Sequence, residues 1–492
     1  MTLWKNGFIH TLRTKQEIIH EMITKDGVII ATGRDVTLYQ PTDIIDLKGM
    51  HLYPGFVDAH LHLVGYGLSL TIPNISTHKT KAAIISYLKQ AYRCQPLFVE
   101  GYGDINITKD DLDAISNRHF IILRHADYHS YTVNSVVLDT LKIVSQNGIL
   151  KEKDGESVAT LFLARDQKTL YKATKNAISS LHHFGITAIL TDDLAYFNSY
   201  AETLNIIDHL THIMKMRTHL LVHEKVLEDY LSARLNETPF LKVNGVKTFY
   251  DGTLSSRSAL LSSPYRDTNT LGERMHTPGE LENLLIKVRQ HQLPLAVHTI
   301  GDLALSELTT LLIKYPTMIN VPDRIIHASL TDHPTIEKLS TLNIVLDVQP
   351  QFIKSDLPQT LSLINEKTMI YPFKSYIKAK IKLSLTSDAP VEIPNPLLGI
   401  YAAVTRRGHD NQAYHIKESL TRYQALKGYT IDAARHLGYK NKGQIKKGYL
   451  ADFVVFKNDI LAVPLEELAK QTVIMTIVDG VMVYEDKEKS PR

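Results

Sequence analysis

Eight short apolar runs alternate with longer stretches of helix-compatible sequence through the middle of this chain. Alternation of strand and helix indicates a parallel sheet, and eight such units indicate a closed barrel. We therefore predict an α/β fold built on a (β/α)8 TIM-like barrel. The candidate barrel strands are residues 55–60, 185–191, 218–223, 243–250, 294–298, 324–327, 344–348 and 382–387.

The first two candidate strands are separated by more chain than a connecting loop needs. Residues 96–100 and 119–123 of this stretch have the character of strands, and residues 79–92 have that of a helix. We predict an inserted subdomain at about 65–183 over the barrel mouth. The barrel domain, including this insertion, is predicted to span residues 54–439.

The two ends of the chain are similar in pattern. Residues 23–30 read as two strands joined at an Asp-Gly turn, and residues 474–484 have the same form. Neither end carries enough strands for a stable sheet by itself. We predict one small composite β-sandwich formed by residues 1–53 and 440–486. Two independent hairpins packed on the core are the alternative.

Composition restricts the function classes. The formal net charge of the 492 residues is only +3, which gives no support to a nucleic-acid or anionic-membrane partner. The chain has no apolar run of membrane-spanning length and no signal-peptide core at its start. Cys94 is the single cysteine, so an internal disulfide is excluded. We expect a cytoplasmic protein with a small-molecule substrate, and a homo-oligomer is compatible with the sequence.

Polar residues with metal-binding chemistry end several of these apolar runs. Residues i and i+2 of a strand point to the same side, so His60 and His62 can reach one ion. Two partly buried histidines at a strand end are the alternative for this pair. His298 and His327 end later strands on the same face of the barrel, and Asp388 adds an anionic oxygen. Imidazole and carboxylate groups suit a hydrolytic zinc-type centre.

Lys247 occupies the same kind of position at the end of a candidate strand. An ammonium group does not bind metal, and burying it without a partner is unfavourable. The side chain could be a neutral amine of low pKa, or it could react with CO2 to give an anionic carbamate that bridges two ions. A lysine paired with Asp251 or another carboxylate is the alternative, which the bare sequence favours.

Several motifs together resemble the amidohydrolase superfamily of metal-dependent hydrolases. Within it the chain is most similar to amidohydrolase family 3, the group resembling N-substituted formamide deformylases. The resemblance runs from about residue 23 to about residue 484. Its motifs are Pro-Gly-Phe-Val-Asp-Ala-His-Leu-His at 54–62, Gly-Val-Lys at 245–247, Asp-Gly-Thr-Leu-Ser-Ser-Arg-Ser-Ala at 251–259, His-Thr-Ile-Gly-Asp at 298–302, Arg-Ile-Ile-His-Ala at 324–328 and Ser-Asp-Ala-Pro-Val at 387–391.

The resemblance implies how the ligands divide between ions. His60, His62 and Asp388 would bind the more buried metal. His298 and His327 would hold a second metal, and Lys247, as a carbamate, would bridge the two metals. The expected cofactor is one or two divalent ions per chain, with zinc favoured. His129 and Arg257 would face the substrate.

The reaction implied is hydrolysis of a C–N bond other than a peptide bond, in an amide, a formamide or a cyclic amide. A metal-bound hydroxide would attack the carbonyl carbon, with Asp388 as the general base. A mononuclear deaminase on the same fold, in which Lys247 has no metal role, is the first alternative. A non-catalytic scaffold that kept the fold is the second.

Overall fold

An eight-stranded parallel sheet forms the centre of the molecule. The computed structural model describes residues 1–103, 105–126, 130–163, 166–233, 235–317 and 321–490. Each strand pairs with the next along the chain, and every one overlaps a predicted barrel strand. The strands are β1 (Phe56–Leu61), β2 (Ile186–Thr191), β3 (Arg217–His223), β4 (Leu241–Phe249), β5 (Leu295–Thr299), β6 (Asp323–His327), β7 (Ile344–Val348) and β8 (Lys382–Leu385).

The first and last strands meet and nearly close the sheet into a TIM-like barrel. The backbone N–H of Asp388 donates to the carbonyl of His60 at 3.0 Å. The backbone N–H of Ser387 donates to Oδ1 of Asp58 at 3.1 Å. Both bonds lie at or just beyond the carboxyl end of β8, so they hold two of the predicted ligand positions side by side.

Helices connect the barrel strands, and several of them begin at side-chain caps. Thr277 and Glu280 form a reciprocal capping box with Pro278 as the first helical residue, and Asp332 accepts from the N–H of Thr335 at 2.8 Å. Gln167–His183 leads into β2. The helices between β2 and the last turn of the barrel are Tyr200–Ile213, Leu227–Ser232, Pro278–Gln290, Asp302–Lys314, His333–Leu339, Phe352–Asp356, Gln359–Leu363, Phe373–Lys378, Pro396–Thr405, Arg422–Gly428 and Ile431–His436.

The long stretch between β1 and β2 contains a sheet of its own. Its four strands are Leu97–Tyr102, Ile121–His125, Ser130–Val133 and Ile149–Lys151. The accompanying helices are Leu63–Ser69, Lys81–Ala91, Lys109–Asp113, Ser135–Leu141 and Glu152–Leu163. The bounds of an inserted subdomain at about 65–183 stay a prediction.

Strands from both ends of the chain share one sheet. Its six strands are Phe8–His10, Ile18–Ile19, His51–Pro54, Phe453–Phe456, Val473–Val478 and Val481–Glu485. A second sheet, of Thr2–Lys5, Met22–Lys25, Val28–Thr32 and Asp43–Asp46, comes from the N-terminal part alone. The expectation that neither end could form a sheet unaided is therefore wrong for the N-terminal end, because Asp43–Asp46 pairs parallel with Thr2–Lys5. The domain limits 1–53 and 440–486 stay a prediction.

The two terminal sheets bury a common apolar core that includes Trp4, Met22, Phe453 and Ile477. A separate cluster of small apolar side chains from β1, β2, β3, β5 and β6 packs against Ile431–His436 and the residue that follows it. Shorter elements complete the fold: the strands Leu330–Thr331 and Met369–Ile370, the helix Leu465–Leu468 and the 3-10 helices Gly33–Leu38, Glu224–Val226 and Ile416–Glu418. Within the described ranges, no helix has the length and apolar character needed to cross a membrane.

Candidate metal centre

The six residues predicted as metal ligands meet at the carboxyl ends of the barrel strands. They come from β1, β4, β5 and β6, from the position after β1, and from the turn after β8. All six line one cavity of about 470 Å³. They are His60, His62, Lys247, His298, His327 and Asp388.

His60, His62 and Asp388 form what we call the first cluster. Nε2 of His60 lies 3.3 Å from Oδ1 of Asp388, and Nε2 of His62 lies 3.7 Å from the same oxygen. One ligand atom from each of the three residues falls within 4.8 Å of the others. Three donor atoms this close to one another match the ligand set of a single bound ion.

The ring of His60 is fully buried, and neither of its nitrogens has a hydrogen-bond partner among the described residues. Buried polar atoms without a partner are rare and destabilising, so their presence indicates a site for an ion or a water molecule. Burial, together with the charges of Lys247 and His62, holds the pKa of His60 well below its ordinary value. The imidazole is therefore neutral, the form that binds a metal.

His62 is oriented by its second ring nitrogen. The Nδ1–H group donates to the backbone carbonyl of Asp192 at 2.9 Å, which leaves the lone pair on Nε2 facing Asp388. A hydrogen bond of this kind fixes the tautomer and the direction of a metal-binding imidazole.

His298 and His327, which we call the histidine pair, face each other with Nδ1 and Nε2 only 3.0 Å apart. Nε2 of His298 donates to the carbonyl of Gly252 at 3.2 Å. Nδ1 of His327 donates to Oε1 of Gln349 at 2.8 Å, and the amide nitrogen of that glutamine donates to two other oxygens. When both rings are neutral, the two facing nitrogens carry lone pairs, and a cation bound to both would satisfy them. The rings of His327 and His60 are 6.1 Å apart, so the pair adjoins the first cluster.

Lys247 is 1% exposed and lies 3.9 Å from Oδ2 of Asp192, with its Nζ 4.4 Å from the centre of the Phe249 ring. Asp251, the partner first considered for it, instead accepts three backbone N–H groups. Burial lowers the pKa of Lys247, and the attraction of Asp192 only partly offsets this effect. A lowered pKa raises the share of neutral amine, which is the form that reacts with CO2.

The backbone is left-handed at two of the ligands. The φ angle is 76° at His327, 45° at Ala328 and 59° at Asp388. Each such conformation costs a residue other than glycine about 1–3 kcal/mol and persists where the surrounding structure enforces it, often at active sites. The end of β6 and the turn after β8 therefore adopt unfavourable backbone conformations at two of the predicted ligands.

Of the two residues predicted to face the substrate, the structure describes only Arg257. His129 lies outside the described residues. The guanidinium group of Arg257 donates to Oδ2 of Asp267 at 2.9 Å and to the carbonyls of Leu254 and Ser255. Arg257 is not among the described residues that line the cavity. Its contact with substrate stays a prediction.

Sequence reasoning missed three polar residues that serve this centre: Asp192, His223 and Gln349. Asp192 follows β2 and His223 ends β3, so the strand-end signal that found the ligands was present for both. Nδ1 of His223 accepts from the N–H of Lys225 at 3.1 Å. The proton of this ring is therefore on Nε2, and His223 lines the cavity as a hydrogen-bond donor.

Residues from the stretch between β1 and β2 form part of the cavity wall. Arg124, Tyr131 and the part of the helix Glu152–Leu163 from Glu152 to Thr160 line the cavity together with the predicted ligands. The carboxylate of Glu152 accepts from the hydroxyls of Ser256 and Ser258, at 2.9 and 2.5 Å. These bonds tether the helix to the loop after β4.

A parallel barrel that gathers imidazole and carboxylate groups at the carboxyl ends of its strands is the arrangement of a metal-dependent hydrolase. The model of the amidohydrolase family matches residues 43–484. The chain belongs to the amidohydrolase family, as the motifs indicated.

Relatives match along nearly the full length. YtcJ of Bacillus subtilis (strain 168), which is named as an amidohydrolase, is 32% identical over 98% of this chain and 99% of its own. The N-substituted formamide deformylase of Arthrobacter pascens is 22% identical over 98% of this chain and 97% of its own. The crystal structure of a metal-dependent hydrolase from Pyrococcus horikoshii OT3 superposes with a TM-score of 0.80 at 27% identity, covering 94% of this chain and 99% of that one.

Proposed function

We propose that this protein hydrolyses a carbon–nitrogen bond other than a peptide bond in a small amide, formamide or cyclic amide. The observation that carries the proposal is the buried ring of His60. Neither nitrogen has a hydrogen-bond partner among the described residues, and Nε2 lies 3.3 Å from the carboxylate of Asp388. A divalent ion satisfies such a set of neutral imidazole and carboxylate donors.

In this proposal the first cluster would hold one ion and the histidine pair would hold the other. Lys247, as a carbamate, would supply an anionic ligand between them. The nitrogen and oxygen donors fit zinc, because imidazole and carboxylate are both good zinc ligands. When bound, the ions would polarise the carbonyl oxygen of the substrate and lower the pKa of a water molecule.

Asp388 and His223 carry the remaining steps. The carboxylate of Asp388 takes a proton from the attacking water as the C–O bond forms, and gives it to the leaving nitrogen as the C–N bond breaks. The Nε2–H group of His223 donates a hydrogen bond to the carbonyl oxygen, where negative charge develops. One water is consumed, and the products are an acid and an amine.

The cavity suits a small and partly apolar substrate. Its volume of about 470 Å³ is within the range of ~300–1,000 Å³ that small-molecule sites occupy. Tyr131, Tyr196, Phe197 and Phe249 line it and can pack on an apolar substituent of the nitrogen. Because one relative is named as an N-substituted formamide deformylase, N-substituted formamides are the first compounds to test.

A mononuclear deaminase is the second candidate function. The observation that favours it is the completeness of the first cluster as a three-ligand site without Lys247. In that case Lys247 would stay an ammonium group, and its Nζ lies 3.9 Å from Oδ2 of Asp192. A single ion at the barrel centre, unaffected by Lys247→Met, and activity on aminated heterocycles would distinguish it.

Metal content decides between the two. We would measure divalent metal per chain in protein prepared with bicarbonate and without chelator, comparing wild type with Lys247→Met. Lys442→Met is the matched control, because Lys442 is equally buried but bonds to Asp452 and Thr187. Fewer ions per chain in Lys247→Met than in wild type and the control would support the bridged centre. Equal metal content in all three proteins would exclude it.

Activity is then tested on N-substituted formamides, simple amides, cyclic imides and aminated heterocycles. Release of amine from formamides or simple amides, or ring opening of cyclic imides, by wild type, with a loss of at least about 100-fold in Asp388→Asn, supports the proposal. Near-normal turnover by a metal-loaded Asp388→Asn protein would contradict the role given to this carboxylate.

A further inference from the structure

A second group of metal-binding side chains lies in the six-stranded terminal sheet, outside the cavity. His10 ends the strand Phe8–His10, His51 begins the strand His51–Pro54, and Asp459 follows Phe453–Phe456. The strand His51–Pro54 pairs with the other two, so residues from distant parts of the sequence arrive at one place. We call these three residues the terminal-sheet cluster.

The donor atoms of this cluster are close enough to share an ion. Nε2 of His10 lies 3.0 Å from Nδ1 of His51, and one ligand atom of each residue falls within 4.8 Å of the others. His10 is buried, whereas His51 and Asp459 are partly exposed. An ion could therefore enter from solvent and be held against a buried ring.

Neighbouring side chains already fix the three donors. Oδ1 of Asp459 accepts from the hydroxyl of Tyr53 at 2.5 Å and from the N–H of Leu461 at 2.7 Å. The ring of His10 stacks on Tyr53 with centres 4.1 Å apart. His51 stacks on Phe8 with centres 4.9 Å apart. Oriented ligands of this kind bind metal more tightly, because less freedom is lost on binding.

We propose that His10, His51 and Asp459 form a separate site for a divalent transition-metal ion, with zinc as the best match. Two imidazole nitrogens and one carboxylate oxygen are three of the four ligands of a tetrahedral zinc site, and water can supply the fourth. Calcium and magnesium prefer sites made wholly of oxygen and would bind weakly. Burial lowers the pKa of His10 to about 4, so its ring is neutral near pH 7, as a ligand must be.

An ion at this place joins both ends of the chain. It connects the strand Phe8–His10, the strand that leads into the barrel and the turn after Phe453–Phe456. Because it would bind the folded chain and not the unfolded one, it raises the melting temperature without entering the reaction. The alternative is a plain hydrogen bond between the two histidines, which needs no ion.

The test is metal content of the full-length holoenzyme after incubation with zinc and removal of free ion. We compare wild type with His51→Gln and Asp459→Asn. His20→Gln is the control, because His20 lies beside Phe8 but bonds through Nδ1 to the carbonyl of Gly7. We expect one ion per chain fewer in each cluster variant, unchanged turnover, and wild-type content in the control. Equal content in wild type and both cluster variants would overturn the proposal, as would an equal loss in His20→Gln.

A reciprocal experiment keeps the proposal open to disproof if the cluster variants fold poorly. The chain with His60→Ala and His298→Ala lacks ligands of the barrel centre but keeps the terminal-sheet cluster intact. We expect it to bind one Co²⁺ per chain, with the visible absorption of a tetrahedral nitrogen–oxygen site. No Co²⁺ binding by this folded protein would refute the terminal-sheet site and leave the proposed reaction untouched.

Discussion

In the predicted histidine ligands, the ring nitrogen that faces away from the barrel centre determines whether the other ring nitrogen can bind a metal ion. Gln349 accepts from Nδ1 of His327, and the carbonyls of Gly252 and Asp192 accept from His298 and His62. Each of these bonds puts the proton on the outer nitrogen and a lone pair on the inner one. The supporting oxygens are therefore as much part of the centre as the ligands.

Gln349→Leu is expected to weaken metal binding about 10–100-fold, because the ring of His327 loses the acceptor that sets its tautomer. Gln351→Leu is the control. This second glutamine is also buried, but its amide donates to the carbonyl of Ile393, away from the ligands. Competition with a chelator measures the affinities. Equal affinity in the two variants would show that the Gln349 contact is not important.

Lys247 should form its carbamate more readily as pH rises. Burial lowers the pKa of this lysine, so the reactive neutral amine already forms below its ordinary pKa and increases with pH. Protein equilibrated with ¹³C-bicarbonate and metal should show a carbamate signal that strengthens between pH 6.5 and 8.5. The signal should be absent in Lys247→Met and present in Lys442→Met. A signal that Lys247→Met retains would belong to another amine.

The individual strands show how much of the fold can be predicted from one sequence. All eight barrel strands and the ends that carry the ligands could be predicted, because apolar runs and their polar ends are local patterns. Gln349 was missed because its role depends on how β6 and β7 approach each other, whereas Asp192 was missed although it follows a predicted strand end. The proximity of His10 and Asp459 is harder to predict, because it depends on how strands from both ends of the chain pair.

The fold requires a glycine at position 245 of β4, two residues before Lys247. This glycine has a φ of 140°, and a Cβ there would lie 2.7 Å from the carbonyl oxygen of Pro294. Gly245→Ala should therefore lower the free energy of unfolding by about 2 kcal/mol and reduce metal content by shifting β4. Gly279→Ala, at a helical position with nothing within 4 Å, should raise stability by about 0.5–1 kcal/mol. Urea unfolding checks both, and two equal effects would contradict this explanation.

The helix Glu152–Leu163 should control access to the cavity through Glu152. Glu152→Ala removes two hydrogen bonds to serine hydroxyls, and each bond to a charged group contributes ~1.5 kcal/mol, so the loss of both has up to about a hundredfold effect. We expect KM to rise about 10–100-fold with metal content unchanged. Glu156→Ala is the control, since its exposed ion pair with Lys225 contributes little. Steady-state kinetics measures the difference, and equal KM values would refute the tether.

The molecule as a whole should lose stability in mild acid. Burial lowers the pKa of His182 to about 4 and those of His219 and His436 to about 3. The unfolded chain takes up these protons near pH 6.5, the folded chain only near 3–4. Their contribution is therefore complete above about pH 6.5 and is lost as pH falls towards the folded values, by up to ~1.4 kcal/mol per pH unit for each histidine.

Urea unfolding of the metal-free protein between pH 7.5 and 5 tests this dependence. His219→Gln should flatten the slope below pH 6.5 by up to ~1.4 kcal/mol per pH unit. The control, His333→Gln, changes an exposed histidine and should leave the slope as it is. A slope that His219→Gln does not alter would show that this ring is not kept neutral by the fold.

The strand His51–Pro54 lies between Phe8–His10 on one side and Phe453–Phe456 on the other. A ribosome makes the first two strands early and the third about 400 residues later, which takes roughly 20–80 s at ~5–20 residues per second. During that interval one edge of His51–Pro54 has no partner from its own chain. An open strand edge can pair with an open strand edge of another polypeptide. The growing polypeptide must therefore stay separate from other copies of the chain until Phe453–Phe456 has been synthesised.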